Sequence, residues 1–418
     1  MIPIATHSDE DLFVDLSREV FASLRRSDQR RTADQYLRGM LAVPGRKTAR
    51  NIATYAGEPA AEQRFHHFIA SSGWDWLPVR EALVRFLERT APPAAWVVRP
   101  ITLPKTGERL VGVDRRYVPE LGRMVNGQFG YGLWQTSASG EIPVNWHLEL
   151  PESLLGDPAE RARAGVPAEY VAPVSPEDAA VTTALELPLR PTSAFRPVVV
   201  DARRAGLVTL VRRFDAARVP LLARISGATR LLAGDSGPAG VRQQPVMARQ
   251  LLSSTGVRRP VTRADGCRMA VALRVSLPAA VGERGDGWRH GQKEERLLIG
   301  EWFGPQAAPD RLWLTDLTTV PLSALLRLTE LAGNGSTMPV SGPSPESGSA
   351  ERSGLHDYGG RSFSGWHRHM TMVSVAQAVR ALMTLEVVRG GGVGAPAPGR
   401  PPGQRVGPRP GRRTAVAV

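Results

Sequence analysis

Asp201 is the side chain best placed to do chemistry. It closes the run Pro197-Val-Val-Val-Asp201, the pattern of a buried strand with an acid at its C-terminal end. An ordinary strand-end or capping aspartate is the plainer reading of the same residue. His367 and His369 form a His-x-His pair behind Trp366. Without a companion acid, two histidines at this spacing are a weak metal signal, and a packed helix start with hydrogen-bonded imidazoles accounts for them as well. Cys267 is the only cysteine, which excludes an internal disulfide and fits a reducing cytosol. It reads as a small, semi-buried side chain rather than a catalytic thiol.

Charge adds a second kind of chemistry. The 418 residues carry a net charge of +13. Between Arg25 and Arg50 eight basic residues face only Asp28 and Asp34, and the tail from Arg389 to Val418 has six arginines and no acid. Clustered cations suit a polyanion such as DNA, because each neutralised phosphate releases counterions. Arg30, Arg31, Arg38, Arg46 and Lys47 are the candidate DNA contacts of the first cluster. The competing explanation is compositional: only Lys47, Lys105 and Lys293 are lysines, and Arg, Ala, Gly and Pro abound, as in a GC-rich coding sequence. A membrane span of ~18 consecutive apolar residues is absent from the sequence. The start, MIPIATHSDEDLF, lacks the basic residues and apolar run of a secretory signal, so a cytoplasmic protein is expected.

Several elements must position these groups. Residues 9–90 read as short helices: Leu12, Leu16, Val20 and Leu24 share one face, Lys47–Tyr55 ends at Gly57, and Val79–Arg89 follows Pro78. From Ala95 the texture becomes strands, at Trp96–Val98, Leu110–Val113, Gly127–Trp134 and Val144–Leu150. Glu160–Pro167 reads as a surface loop. A strand at Phe195–Asp201, a helix over Leu207–Ala217 and a strand at Pro220–Ile225 make a βαβ-like unit. Residues 228–316 look β-rich, with strands at Arg296–Ile299 and Arg311–Leu314. Gly333–Gly354 is low-complexity Gly/Ser/Pro sequence, Met370–Val388 reads as a final helix, and the Arg/Pro/Gly tail reads as disordered.

The blocks RRTADQYLRGMLAVPGRK, WVVRPITLPKTGERLVGVDRRYVPELGRMVNGQ, AGVPAEY, VVVDA and GLHDYGGRSFSGWHRH occur in this order. Together they resemble bacterial insertion-sequence transposases of the DDE superfamily, endonucleases of the cut-and-paste type with an RNase H-like core. The resemblance runs from about Phe21 to Ala381. It implies cleavage and joining of double-stranded DNA at element ends by two Mg²⁺ ions held by three carboxylates, with a homodimer on DNA and association with the nucleoid as further expectations. Such metals sit ~3.5–4 Å apart, so their acids must converge.

In the family the first strand carries an acidic pair after Trp and two apolar residues. Here Trp96, Val97 and Val98 fit, but Arg99 and Pro100 occupy the acidic positions. Asp114 is the nearest acid, and it lies beyond the hairpin turn. Asp201 matches the second acid and is the one expected metal ligand and catalytic residue, followed by Arg203 and Arg204 where the family has a glycine-rich turn. The third acid, a glutamate on a helix before Gly-Leu-x-x-Tyr, falls in Gly333–Gly354, where Glu346 and Glu351 are the only acids. Tyr358-Gly359-Gly360-Arg361 lacks a further family glutamate. The resemblance adds Lys105, Arg116, Arg361 and His367 to the DNA-binding candidates.

The expected fold is therefore α/β, an RNase H-like core with a helical N-terminal domain and a β-rich insertion. The expected divisions are a helical DNA-binding domain over 1–92, core over 93–227, insertion over 228–316, core again over 317–388 with 333–354 interrupting it, and the tail 389–418. Two functions follow: a transposase with a defective catalytic set and unproductive Mg²⁺ binding, or a non-catalytic DNA-binding remnant that regulates or inhibits active copies. Either way, Arg99 and Asp201 should lie on adjacent strands with side chains on one side.

Overall fold

The computed structural model describes residues 7–119, 121–137, 140–187, 196–234, 244–254, 259–263, 266–278, 295–333 and 352–390. Most of Gly333–Gly354, with Glu346 and Glu351, lies outside the described residues, as does 391–418 of the tail.

The first five helices are α1 (His7–Val20), α2 (Ser27–Ala42), α3 (Ala49–Tyr55), α4 (Ala61–Ala70) and α5 (Leu77–Thr90). Each buries residues at helical spacing, such as Phe13, Leu16 and Val20, or Tyr36, Leu37 and Met40. Local chemistry sets their ends. The Thr48 hydroxyl accepts from the Asn51 N–H to start α3, and Gly57, at φ +73°, turns the chain after it.

A meander follows: β1 (Ala95–Pro104), β2 (Val113–Val118), β3 (Arg123–Ser137) and β4 (Gly140–Leu148). β3 lies antiparallel between β1 and β4, and its outer half also pairs with β2. The expected loop at Glu160–Pro167 is largely helical. After the single turn α6 (Glu152–Leu155) comes α7 (Pro158–Ala164), started by Asp157, whose carboxylate accepts from the N–H groups of Ala159 and Glu160. Helix α8 (Pro176–Leu185), capped by Ser175, then leads toward β5 (Val198–Asp201). The chain crosses over through α9 (Leu207–Ala217) to β6 (Leu221–Ile225), and both β5 and β6 run parallel to β1.

The β-rich segment comprises β7 (Arg230–Ala233), β8 (Val246–Met247), the short helix α10 (Ala248–Ser253), β9 (Arg259–Arg263), β10 (Gly266–Ser276), β11 (Arg296–Trp302) and β12 (Arg311–Thr315). It extends the core sheet rather than standing apart from it. β12 hydrogen-bonds antiparallel to β6, giving the path β2-β3-β1-β5-β6-β12-β11-β10-β7-β8. Two more helices close the described chain. α11 (Leu322–Gly333) packs on β5 and β1, and α12 (Phe363–Gly390) packs on β4 and the N-terminal helices. From Phe363 to Met383 nearly every side chain of α12 is buried, so this helix is a central pillar rather than an amphipathic cover.

The sheet thus has two covered faces. On one, β-strand residues such as Trp96, Val98, Val198 and Val200 join the large core with α5, α8, α9 and α12. On the other, Val97, Val199, Leu222, Trp313 and Ile299 pack against Leu325 and Leu326 of α11. Pro100 fits β1 for a simple reason. Trp96 donates its N–H toward the β5 side, to the Pro197 carbonyl. Residues of the same parity point the same way, and pairing with β5 stops at Val98. The donor that proline lacks would therefore face a gap in the ladder.

Candidate active site

Alternation along each strand fixes which residues share the α11 face. Two residues beyond an apolar side chain of that face lies the next position on the same side. Val97 is followed in this way by Arg99, Val199 by Asp201, Leu222 by Arg224 and Ile299 by Glu301. In the strands of opposite direction, Trp313 is preceded by Arg311 and Ala270 by Arg268. Six adjacent strands, β1, β5, β6, β12, β11 and β10, each place one charged residue at the same edge of this face. Arg99 and Asp201 stand at equivalent positions of neighbouring parallel strands, one residue past the Val98–Val200 pair. The expected juxtaposition of these two residues is present.

Arg99 is held tightly. Its Nη1 and Nη2 donate to the Glu141 carboxylate at 2.5 and 2.6 Å, and Nη2 also donates to the Leu331 carbonyl at 2.8 Å. Only 8% of its side chain is exposed, and the guanidinium lies over the Trp134 ring, 5.5 Å from its centre. The strand end of β1, the start of β4 and the last turn of α11 are thereby tied together by one cation. A bidentate fork on a carboxylate is the strongest form of such a pair.

Asp201 is also engaged. Arg203 donates from Nη2 to Oδ2 at 2.6 Å and from Nε to both oxygens at 2.9 and 3.0 Å, and its backbone N–H reaches Oδ1 at 3.1 Å. Farther along the row, Arg268 pairs with Glu330 of α11 at 3.1 Å and lies 3.9 Å from Glu301. Glu301 is 1% exposed, and among the described residues neither carboxylate oxygen makes a hydrogen bond of good geometry, although Thr329 and Trp313 lie close enough to act on it. Burial pushes its carboxyl above the usual range, favouring the neutral acid.

The donor set does not fit a two-metal centre. Mg²⁺ takes near-octahedral oxygen ligands, and a guanidinium offers donors only. Arg99 puts a fixed positive charge on the strand next to Asp201, at the same edge of the face. Among the described residues no three His, Cys, Asp or Glu side chains are grouped to hold a metal ion. Asp114, on β2 and separated from β5 by β3 and β1, pairs with Arg116 and stands apart from the row.

The chain belongs to the DDE superfamily endonucleases. The family model matches residues 19–292, well over half of the chain. Comparison with curated proteins finds no match. The mixed sheet with helices on both faces is the RNase H-like core of a DDE endonuclease, and its family's nuclease chemistry acts on DNA with divalent metal. None of the described helices is long and apolar enough to cross a membrane.

The remaining candidates of this DDE protein are scattered, and several serve the fold. Lys105 is largely buried and donates to the carbonyls of His356 and Tyr358, both at 2.8 Å, and burial pulls its ammonium down to about 8. Lys47 is buried, its ammonium bonded to the Val43 carbonyl and its N–H to Asp357. These two lysines pin the Gly-Leu-His-Asp-Tyr block against the body. His367 is interior too, stacked on Trp76 at 4.7 Å and held through Nδ1 and its carbonyl by Arg80. Burial, with Arg80 and His147 beside it, keeps its imidazole far below the usual range, and His369 bonds the Gly354 carbonyl.

Arg80 itself went unnoticed in the sequence. It is 0% exposed and donates to Thr371, Asn145, the Trp146 carbonyl and His367, joining α5, β4 and α12. An arginine between Val79 and Ala82 looks like any solvated helix residue.

On the surface, Arg38 is paired with Glu10 and Asp34, Arg116 with Asp114 and Glu149, and Arg30 with the Leu24 carbonyl. Arg46 lies 3.7 Å from Asp357, while Arg31 is exposed. Arg361 is exposed and lines an open cleft of about 540 Å³ with Arg109, Arg163 and Glu108.

Proposed function

We propose that the protein is an insertion-sequence transposase by descent that binds double-stranded DNA and no longer cleaves it by two-metal chemistry. The observation that carries this reading is the Arg99 guanidinium, locked between Glu141 and the Leu331 carbonyl beside Asp201. A metal there would meet a fixed positive charge, and Asp201 alone cannot position both ions. Exposed arginines such as Arg31 and Arg361 support retained attraction for a polyanion. The division into a helical DNA-binding part, an RNase H-like core with an extension, and a basic tail belongs to the same reading. So do action at element ends as a homodimer, nucleoid association in the cytoplasm, and a role in regulating or inhibiting active copies.

The test is strand cleavage and transfer on duplexes carrying the sequences that flank the gene, with Mg²⁺ or Mn²⁺. The reading expects salt-sensitive binding that survives chelation and no product above a protein-free control. Metal-dependent cleavage that disappears in Asp201→Ala would overturn it.

A further inference from the structure

We propose that the charged edge of the α11 face seats a DNA backbone phosphate between the Arg224 and Arg311 guanidiniums, without a divalent ion. This rests on the DNA-binding reading above and names the groups that would contact the nucleic acid at the family's catalytic edge.

Arg224 is on β6, directly opposite Asp201 of β5 in the parallel register. On its other side it faces Trp313 of β12, so Arg311, two residues along, is its diagonal neighbour on the same face. Diagonal cross-strand residues lie about 7–8 Å apart, close enough for two long side chains to converge on one ligand. Both arginines are half-buried. Neither has an ion pair or a side-chain hydrogen bond among the described residues, and Arg311 is stacked on Phe303, 4.9 Å from the ring centre.

The neighbouring acids are poorly placed to neutralise them. Asp201 has both oxygens bonded by Arg203. Glu301 is buried, burial raises its carboxyl above the usual range although Arg311 and Arg268 act against that, and it forms no ion pair with Arg224 or Arg311 among the described residues. Burial and the adjacent charges of Arg203 and Arg311 hold the Arg224 guanidinium below its ordinary range. An anion between Arg224 and Arg311 would relieve that repulsion. Planar guanidinium forks match the non-bridging oxygens of a phosphodiester. Because the two side chains are partly exposed rather than enclosed, a backbone phosphate of a long polymer fits better than a small enclosed ligand.

The experiment is fluorescence anisotropy with a labelled duplex carrying the gene's flanking sequence, in chelator, across a salt series. Arg224→Ala/Arg311→Ala should bind at least tenfold more weakly than the unsubstituted protein, with the slope of log affinity on log salt reduced by about one. Arg224→Lys should bind at an intermediate level, because it keeps charge but not the fork. Mg²⁺ should weaken binding by competing as a counterion. Thermal midpoints of the variants establish that they are folded, and a rise in the wild-type midpoint with inorganic phosphate, absent in the double variant, supports the same seat. Binding by the folded double variant equal to wild type would overturn this proposal while leaving the DNA-binding reading intact. A requirement for Mg²⁺ would also overturn it. Absence of any DNA binding by the wild-type protein would overturn both.

Discussion

Removing the partner of Arg99 should cost far more than removing Arg99 itself. In Glu141→Ala the Arg99 guanidinium, whose side chain is 8% exposed in the intact protein, loses two short charge-assisted bonds and keeps only the Leu331 carbonyl as a hydrogen-bond partner. Breaking a buried pair from one side costs about 3–5 kcal/mol. Glu141 is itself 36% exposed, so the lower end, about 3 kcal/mol, is expected. In Arg99→Met the carboxylate of Glu141 can return to water. The losses are then the contact with Trp134 and the donor to Leu331, about 1–1.5 kcal/mol. The double variant should lie near Arg99→Met alone, because Glu141 has no role once its cation is gone. Urea unfolding of the four proteins at neutral pH, read as midpoint with slope checked for constancy, measures all three quantities. If Glu141→Ala unfolds within about 0.5 kcal/mol of wild type, Arg99 is an adaptable surface pair. The claim that it locks the edge of the sheet would then be wrong.

Acid should destabilise the fold through its buried histidines. Burial lowers His147 to about 4 and also lowers His356, His367 and His369. The unfolded chain therefore binds more protons below about pH 6.5, and stability falls as pH drops from there toward 4. His147 alone contributes a loss of about 2 kcal/mol between pH 7 and pH 5; a flat urea midpoint over that range would refute it. Lys105→Met should release the His356 and Tyr358 carbonyls, and hydrogen exchange over residues 354–362 should quicken while α12 stays protected. Arg80→Ala leaves the Asn145 and Thr371 acceptors without a buried donor, so a loss above about 3 kcal/mol is expected in thermal unfolding.

The sequence made the core strands legible wherever apolar runs were bounded by turns. The strand expected over Phe195–Asp201 is observed over Val198–Asp201, Pro220–Ile225 matches β6 (Leu221–Ile225) to within one residue, and the helix Leu207–Ala217 coincides with α9. Glu160–Pro167 has the polar composition of a loop but is largely helical, because the helix-starting signal, Asp157 followed by Pro158, lies just upstream of the polar run. The sequence pattern starts α12 at Met370, seven residues after its observed start at Phe363. A helix buried on every side has no polar face to give it a period. The charged edge could be read only in part. Arg99 and Asp201 stand out within their own strands, but Arg224, Arg311, Glu301 and Arg268 join them through pairings among six strands, and β12 returning to β6 is not a local property of any segment. Lys47, Lys105 and His367 show the converse. Residue type suggested DNA contacts, while packing directs their polar atoms to carbonyls and buried neighbours.

The most direct test of the central claim is a Mn²⁺ titration of the intact protein, followed by electron paramagnetic resonance, in parallel with Asp201→Ala. The account predicts that the two proteins bind Mn²⁺ alike and weakly, since Arg99 and the Arg203-bonded Asp201 leave no converging carboxylates among the described residues. Saturable binding of one or two ions that is lost in Asp201→Ala would contradict it.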